Sequence, residues 1–168
     1  MKRIFIVLIS LIGSVAFGQE NNIEHISLIA NTIKSDSTLL LLKFNSTNKV
    51  EIGINDEGAL KVWKNKESIS KIVEEIILSQ GRLTKTIYLH KGVPIKIIEK
   101  EDSFGFENGK LNYKKFKEEF RATVYIFDWE NDVSKIEKTG QRIFSEGSCS
   151  TFDYEPIVEK AKKLAIKD

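Results

Sequence analysis

Cys149 is the only cysteine in 168 residues, and it stands in Gly147-Ser148-Cys149-Ser150-Thr151 just before a C-terminal helical pattern. A thiol attacks as its thiolate, which a nearby histidine or a helix N-terminus promotes. His25 and His90 are the only histidines, and neither stands beside Cys149 in sequence. A small buried cysteine is the commoner role of such a residue. Three acids, Glu99, Glu101 and Asp102, cluster around Lys100, and paired carboxylates are what a glycosidase would use. In a chain this charged acid pairs are frequent, and a solvated strand end is the preferred reading. Asp128, Glu130 and Asp132 alternate as calcium-ligating oxygens can, without the central glycine or closing glutamate of an EF-hand loop. No His or Cys pair has zinc-site spacing, so no metal and no cofactor is assigned. Tyr88, Tyr125, Phe127 and Trp129 could form a stacking platform for a sugar or peptide, or could be core beneath two helices.

The elements that must position these residues are mostly strands. Asn22 can cap a helix over 23–34, whose Ile23, Ile26, Ala30 and Ile33 share one face. Thr38 to Phe44 reads as a strand buried on both faces. Val50, Ile52 and Ile54, a turn at 55–58, then Leu60 and Val62 predict a β-hairpin over 49–63. Residues 68–79 are ambiguous. Ile69, Ile72, Val73, Ile76 and Ile77 fall at helical spacing, yet all five are β-branched, and strand is the preferred reading. Leu83 to Leu89 and the alternating Val93, Ile95 and Ile97 follow as strands, with a turn at His90-Lys91-Gly92.

Residues 101–118 are polar with scattered aromatics, where Phe116 and Phe120 could share a short helical face. Arg121 to Trp129 is a strong strand, with Thr123, Tyr125, Phe127 and Trp129 expected on one face and Val124 and Ile126 on the other. Val133 to Lys138 returns after a turn. Asp153 is the expected N-cap of the last helix, with Pro156 in its first turn and Ile157, Ala161, Leu164 and Ala165 as its buried stripe. The fold class expected is α+β: an antiparallel meander of about six to eight strands with an N-terminal and a C-terminal helix.

The first eighteen residues, MKRIFIVLISLIGSVAFG, carry Lys2 and Arg3, an apolar run from Ile4 to Ile12, and small residues at Ala16 and Gly18. This is the tripartite pattern of a secretory signal peptide, with a stretch short for a membrane span. Domains are therefore expected as 1–18, leader, and 19–168, one α+β domain. Of 26 basic and 24 acidic residues, two bases and no acid lie in 1–18, which leaves 24 of each. A neutral mature chain lacks the basic balance of a nucleic-acid binder. One cysteine excludes an intramolecular disulfide, so an exported domain of this length relies on apolar packing.

Polar-Gly-x-Leu units recur at Glu57-Gly58-Ala59-Leu60, Gln80-Gly81-Arg82-Leu83 and Asn108-Gly109-Lys110-Leu111. These units read as hairpin punctuation of a meander. Separately, TKTIYLHKGVPIKIIEKEDSF, the later YIFDWENDVSKIEK and the C-terminal helix, over about residues 68–165, resemble small exported proteins of Bacteroidota-type bacteria. Those proteins repeat Tyr-x-x-x-x-Gly-x-hydrophobic strand–turn–strand units, and here Asn131-Asp132 stands where the second glycine would be. That resemblance implies a bacterial envelope location and a strand at 68–79, and carries no activity or site residue. The function expected is a non-enzymatic envelope protein, periplasmic or extracellular, binding a protein, peptide or sugar. A hydrolase using Cys149 or an acidic pair, and an inhibitor or toxin-neutralising protein, are the alternatives.

Overall fold

The computed structural model describes residues 22–45 and 58–165. The leader and the first half of the hairpin expected over 49–63 lie outside the described residues. Helix α1 covers residues 22–35. Among the described residues seven strands follow: β1 Leu40–Asn45, β2 Gly58–Lys64, β3 Ile69–Ile77, β4 Gly81–His90, β5 Val93–Glu107, β6 Lys110–Asp128 and β7 Val133–Gly140. A 3-10 turn at Thr151–Asp153 leads into helix α2, Glu155–Ala165. The strands form one antiparallel sheet in the order β1-β2-β3-β4-β5-β6-β7, the meander the punctuation predicts. The chain is thus of the α+β class.

One row of side chains crosses the entire sheet. Leu42, Val62, Ile72, Ile87, Ile97, Val124 and Ile136 are successive partners in register from β1 to β7. Directly opposed residues share a face, so this row is a single apolar ridge. Val62, Ile72, Ile87, Ile97 and Val124 are fully buried. Each such side chain contributes roughly 1.5–3 kcal/mol relative to exposure. The ridge is covered by α2, whose Ile157, Val158, Ala161 and Ala165 join the same core.

The opposite face carries α1. Leu41, Trp63, Lys71, Tyr88, Lys96, Tyr125 and Lys135 form the adjacent row, pointing away from α2. Lys96 Nζ donates to Ser27 Oγ of α1 at 3.2 Å, and Ile26 and Ala30 are buried on the same helix. Sheet sandwiched between two helices is what two amphipathic stripes and one sheet require.

Residues 68–79 are strand, because β-branching and cross-strand pairing prevail over the helical spacing. Ile72 and Ile76 project to the α2 face and Val73 and Ile77 to the other. Four expectations are corrected. The strand at 38–44 is not buried on both faces: β1 has one strand neighbour among the described residues, Leu40 is 59% exposed, and only Leu42 and Phe44 pack on the core. Phe116 and Phe120 share no helix, since both lie in β6, paired with Phe104 and Glu101. Trp129 does not stay with Tyr125: an irregularity between Ile126 and Asp128 reverses the alternation, and Trp129 packs against the α2-side core. Asp153 does not cap α2. It closes the 3-10 turn in a capping box with Ser150, while Tyr154 O accepts the first amides of α2, from Ile157 and Val158.

β5 and β6 outrun their neighbours. β4 begins opposite Ser103 and β7 ends opposite Phe120, so from Phe104 onward, apart from the Phe104 amide that donates to Gln80 O at 2.9 Å, the two strands pair only with each other. The result is a two-stranded arm closed by Asn108-Gly109, both at positive φ as a two-residue hairpin turn requires. Gly81 has a different reason from the turn glycine Gly109. A Cβ there would lie 2.2 Å from the Asp102 carbonyl and 2.5 Å from the Phe144 ring, so the loop after β7 can close over it only because it has no side chain.

Candidate functional site

Glu99 and Glu101 lie two residues apart on β5 and so project to the same face, next to the apolar ridge. The segment after β7 turns back over them. Gly140 takes positive φ, and Arg142 then lies with its guanidinium 4.4 Å from the Phe120 ring and hydrogen-bonds Glu99 Oε1. Its Nη1 is also 3.5 Å from Glu101 Oε1. Glu101 Oε2 accepts the amides of Ile143 at 2.6 Å and Phe144 at 2.8 Å, and its Oε1 accepts the Ser145 hydroxyl at 2.5 Å. Tyr154 donates to Glu99 Oε2 at 2.8 Å. Arg142 Nη2 lies 2.8 Å from Cys149 Sγ and donates to it.

Six side chains from β5, the 141–150 loop and the residue before α2 thus make one buried polar cluster. Glu99 is 3% exposed, and Glu101, Cys149 and Tyr154 are 0% exposed. Burial pushes the Glu101 carboxyl up, but Ser145, the two loop amides and Arg142 outweigh it and hold it below its ordinary value. Burial likewise works against the charge of Arg142, and Glu99 overrides it and raises the guanidinium further. The Tyr154 hydroxyl is pushed well above its ordinary range, by burial first and then by the Glu99 carboxylate.

The acidic residues are therefore not a solvated strand end. Glu99 and Glu101 are buried because a distant loop brings the partners that local sequence does not contain. Asp102 leaves this cluster: it lies across the β-bulge and pairs with Arg82 at 2.7 Å. Lys100 turns to Glu118 at 2.9 Å. The partner of Cys149 is an arginine, and neither histidine approaches it: His25 is exposed on α1 and His90 is exposed at the end of β4. Cys149 also sits at φ 68°, held there by Asp153 Oδ2, which accepts its amide at 2.8 Å.

Asp128 and Asp132 are engaged by backbone. Asp128 Oδ1 accepts the amides of Glu130 and Asn131, and Asp132 Oδ1 accepts that of Thr151 at 2.7 Å. Both carboxyls are held low, Asp128 chiefly by the Asn131 side chain and Asp132 by the Thr151 amide. No group of three metal-ligating side chains occurs among the described residues.

The four aromatic candidates are not brought together on one face. Tyr88 is 6% exposed on the α1 face, and Tyr125 lies two strands away in the same row. Phe127 is the extra residue of the irregularity in β6, and Trp129 belongs to the other face. The ring of Tyr125 already carries Lys96 Nζ at 4.8 Å.

The open apolar surface lies on the arm, which sequence reasoning passed over because residues 101–118 look merely polar. Phe106 is 72% exposed, Tyr113 64% and Phe116 42%. A groove of about 670 Å³ at the root of the arm is lined by Phe104, Phe106, Leu111, Ile143 and Phe144, with Lys117 and Glu119 among its polar groups. Four aromatics within 104–116, on two strands joined by Asn-Gly, were the available signal.

The fold and cluster together define an open seven-stranded meander with a helix on each face, its C-terminal helix pinned through a buried ionic cluster. No protein-family model matches the chain, and comparison with curated proteins and with solved structures likewise returns no significant match.

Proposed function

We propose that this chain is an exported, non-catalytic interaction domain that engages its partner through the arm and the groove at its root. The observation that carries the reading is a separation of chemistry from access. The thiol, carboxylates and phenol that could catalyse are closed in and bonded to one another, while exposed apolar side chains gather on the arm. A hydrolase needs the reverse, a reactive group within reach of substrate. Surplus exposed aromatic area at one place is the usual mark of an interaction surface. The leader-like residues 1–18 support export.

Two measurements test it. The purified chain is expected to show no turnover on esterase, peptidase and glycosidase substrate panels. Turnover abolished by Cys149→Ala or Tyr154→Phe overturns the non-catalytic reading in favour of the hydrolase. The folded chain is also expected to bind the apolar dye anilinonaphthalene sulfonate, and Phe106→Ser with Ile143→Ser to abolish this at unchanged circular dichroism. No dye response in the parent chain removes the groove as the interaction surface.

A further inference from the structure

We infer that the β5–β6 arm docks on an anionic lipid surface. The inference rests on the interaction-domain reading above and names what its surface meets. Residues 104–116, the span paired beyond Ser103, contain Phe104, Phe106, Leu111, Tyr113 and Phe116 together with Lys110, Lys114 and Lys115, against one acid, Glu107. The arm thus carries a formal charge of +2, three lysines less one glutamate, on a chain that is balanced once residues 1–18 are set aside. Lys115 is held by Glu107 at 2.7 Å and Lys117 by Glu119 at 3.0 Å. Lys110 and Lys114 are exposed and make no ion pair among the described residues.

The geometry suits a plane better than a pocketed partner. The arm is two strands wide beyond the sheet, so its aromatic side chains can reach a surface before the body of the domain does. Phe104 is the fixed base, 5% exposed, with the Tyr113 ring edge-on at 4.9 Å and the Phe116 ring at 5.4 Å. Phe106 and Tyr113 are left projecting. Aromatic rings settle at the headgroup level of a bilayer, and lysines on flexible stems reach acidic headgroups around them. Charge complementarity supplies the attraction, and partial burial of the rings supplies retention.

The test is co-sedimentation of the full mature chain with phosphatidylglycerol vesicles and with phosphatidylcholine vesicles at low salt. Binding is expected to phosphatidylglycerol alone, and to weaken as salt rises. Lys110→Ala with Lys114→Ala is expected to weaken it about twenty- to thirty-fold, about fivefold per lysine near an anionic surface. Phe106→Ser with Tyr113→Ser is expected to abolish it, and Tyr113→Trp to show a blue-shifted emission on vesicles. Equal binding to both lipids, no binding, or binding indifferent to the arm variants overturns the inference. So does retention on heparin without vesicle binding, which would indicate a soluble polyanion instead. If vesicle binding is absent while dye binding sensitive to Phe106 and Ile143 persists, the lipid inference falls and the interaction-domain reading stands.

Discussion

The hydroxyl of Tyr154 donates to Glu99 Oε2 at 2.8 Å and so ties the residue that opens α2 to a strand in the interior of the sheet. The two residues are 55 positions apart and both are buried. Through Glu99 the same tie reaches Arg142, and through Arg142 it reaches Cys149. The C-terminal segment is thereby latched as well as packed.

Tyr154→Phe removes one donor and leaves Glu99 buried with a free oxygen. A loss of about 1–3 kcal/mol in stability is expected. Urea denaturation followed by circular dichroism measures it, and an unchanged midpoint would mean that the hydroxyl is replaced by water at no cost.

Arg142→Met strands two buried carboxylates, which is the costly way to break an ionic cluster. The expected loss is about 3–5 kcal/mol. Adding Glu99→Gln to that variant is expected to restore part of the stability, because the remaining charge is then reduced. Simple additivity in the double-mutant cycle would show the two side chains to be uncoupled.

Glu101 titrates lower in the folded chain than the roughly 4.3 of an unfolded glutamate. A depressed carboxyl contributes its full stability above the unfolded value. That contribution is lost as pH falls through the folded value. Stability is therefore expected to fall on acidification below about pH 4.5, and Glu101→Gln to be weaker at neutral pH with a shallower acid limb. Parallel urea midpoints for the two chains from pH 7 down to pH 3 would contradict this.

Cys149 is wholly buried, so an aromatic disulfide reagent is expected to leave it unmodified in the folded chain and to modify it fully in denaturant. Rapid modification without denaturant would show that the 141–150 loop opens readily and would return the thiol to consideration as a reactive group.

Gly81→Ala directs a methyl into the Asp102 carbonyl and the Phe144 ring. The backbone oxygen cannot step aside without breaking the β4–β5 ladder, so a loss of about 1–3 kcal/mol is expected from the same urea measurement.

Period-two alternation, β-branching and turn dipeptides are local properties, and they sufficed to read β4, the start of β5, the core of β6 and the order of a meander. The stripe Ile157, Ala161, Leu164 and Ala165 likewise announced α2 and its buried side, although Leu164 is only half-buried and the flanking Val158 is fully buried. Even the ambiguous 68–79 was decided correctly by side-chain branching, since isoleucine and valine fit a pleated surface whatever their spacing. Bulges were not legible. One extra residue at Phe127 reverses every later face, and nothing in that residue's type marks it as unpaired.

The amino-acid sequence alone determined the class of the domain, its antiparallel meander and the single thiol, because these follow from patterns a few residues long. Only the tertiary structure decided that Glu99 and Glu101 are interior, that Cys149 faces an arginine, and that the aromatic arm stands clear of the sheet. The reason is physical: the charge on a buried carboxylate is stabilised by groups more than forty residues away, and whether a ring is covered depends on where neighbouring strands stop.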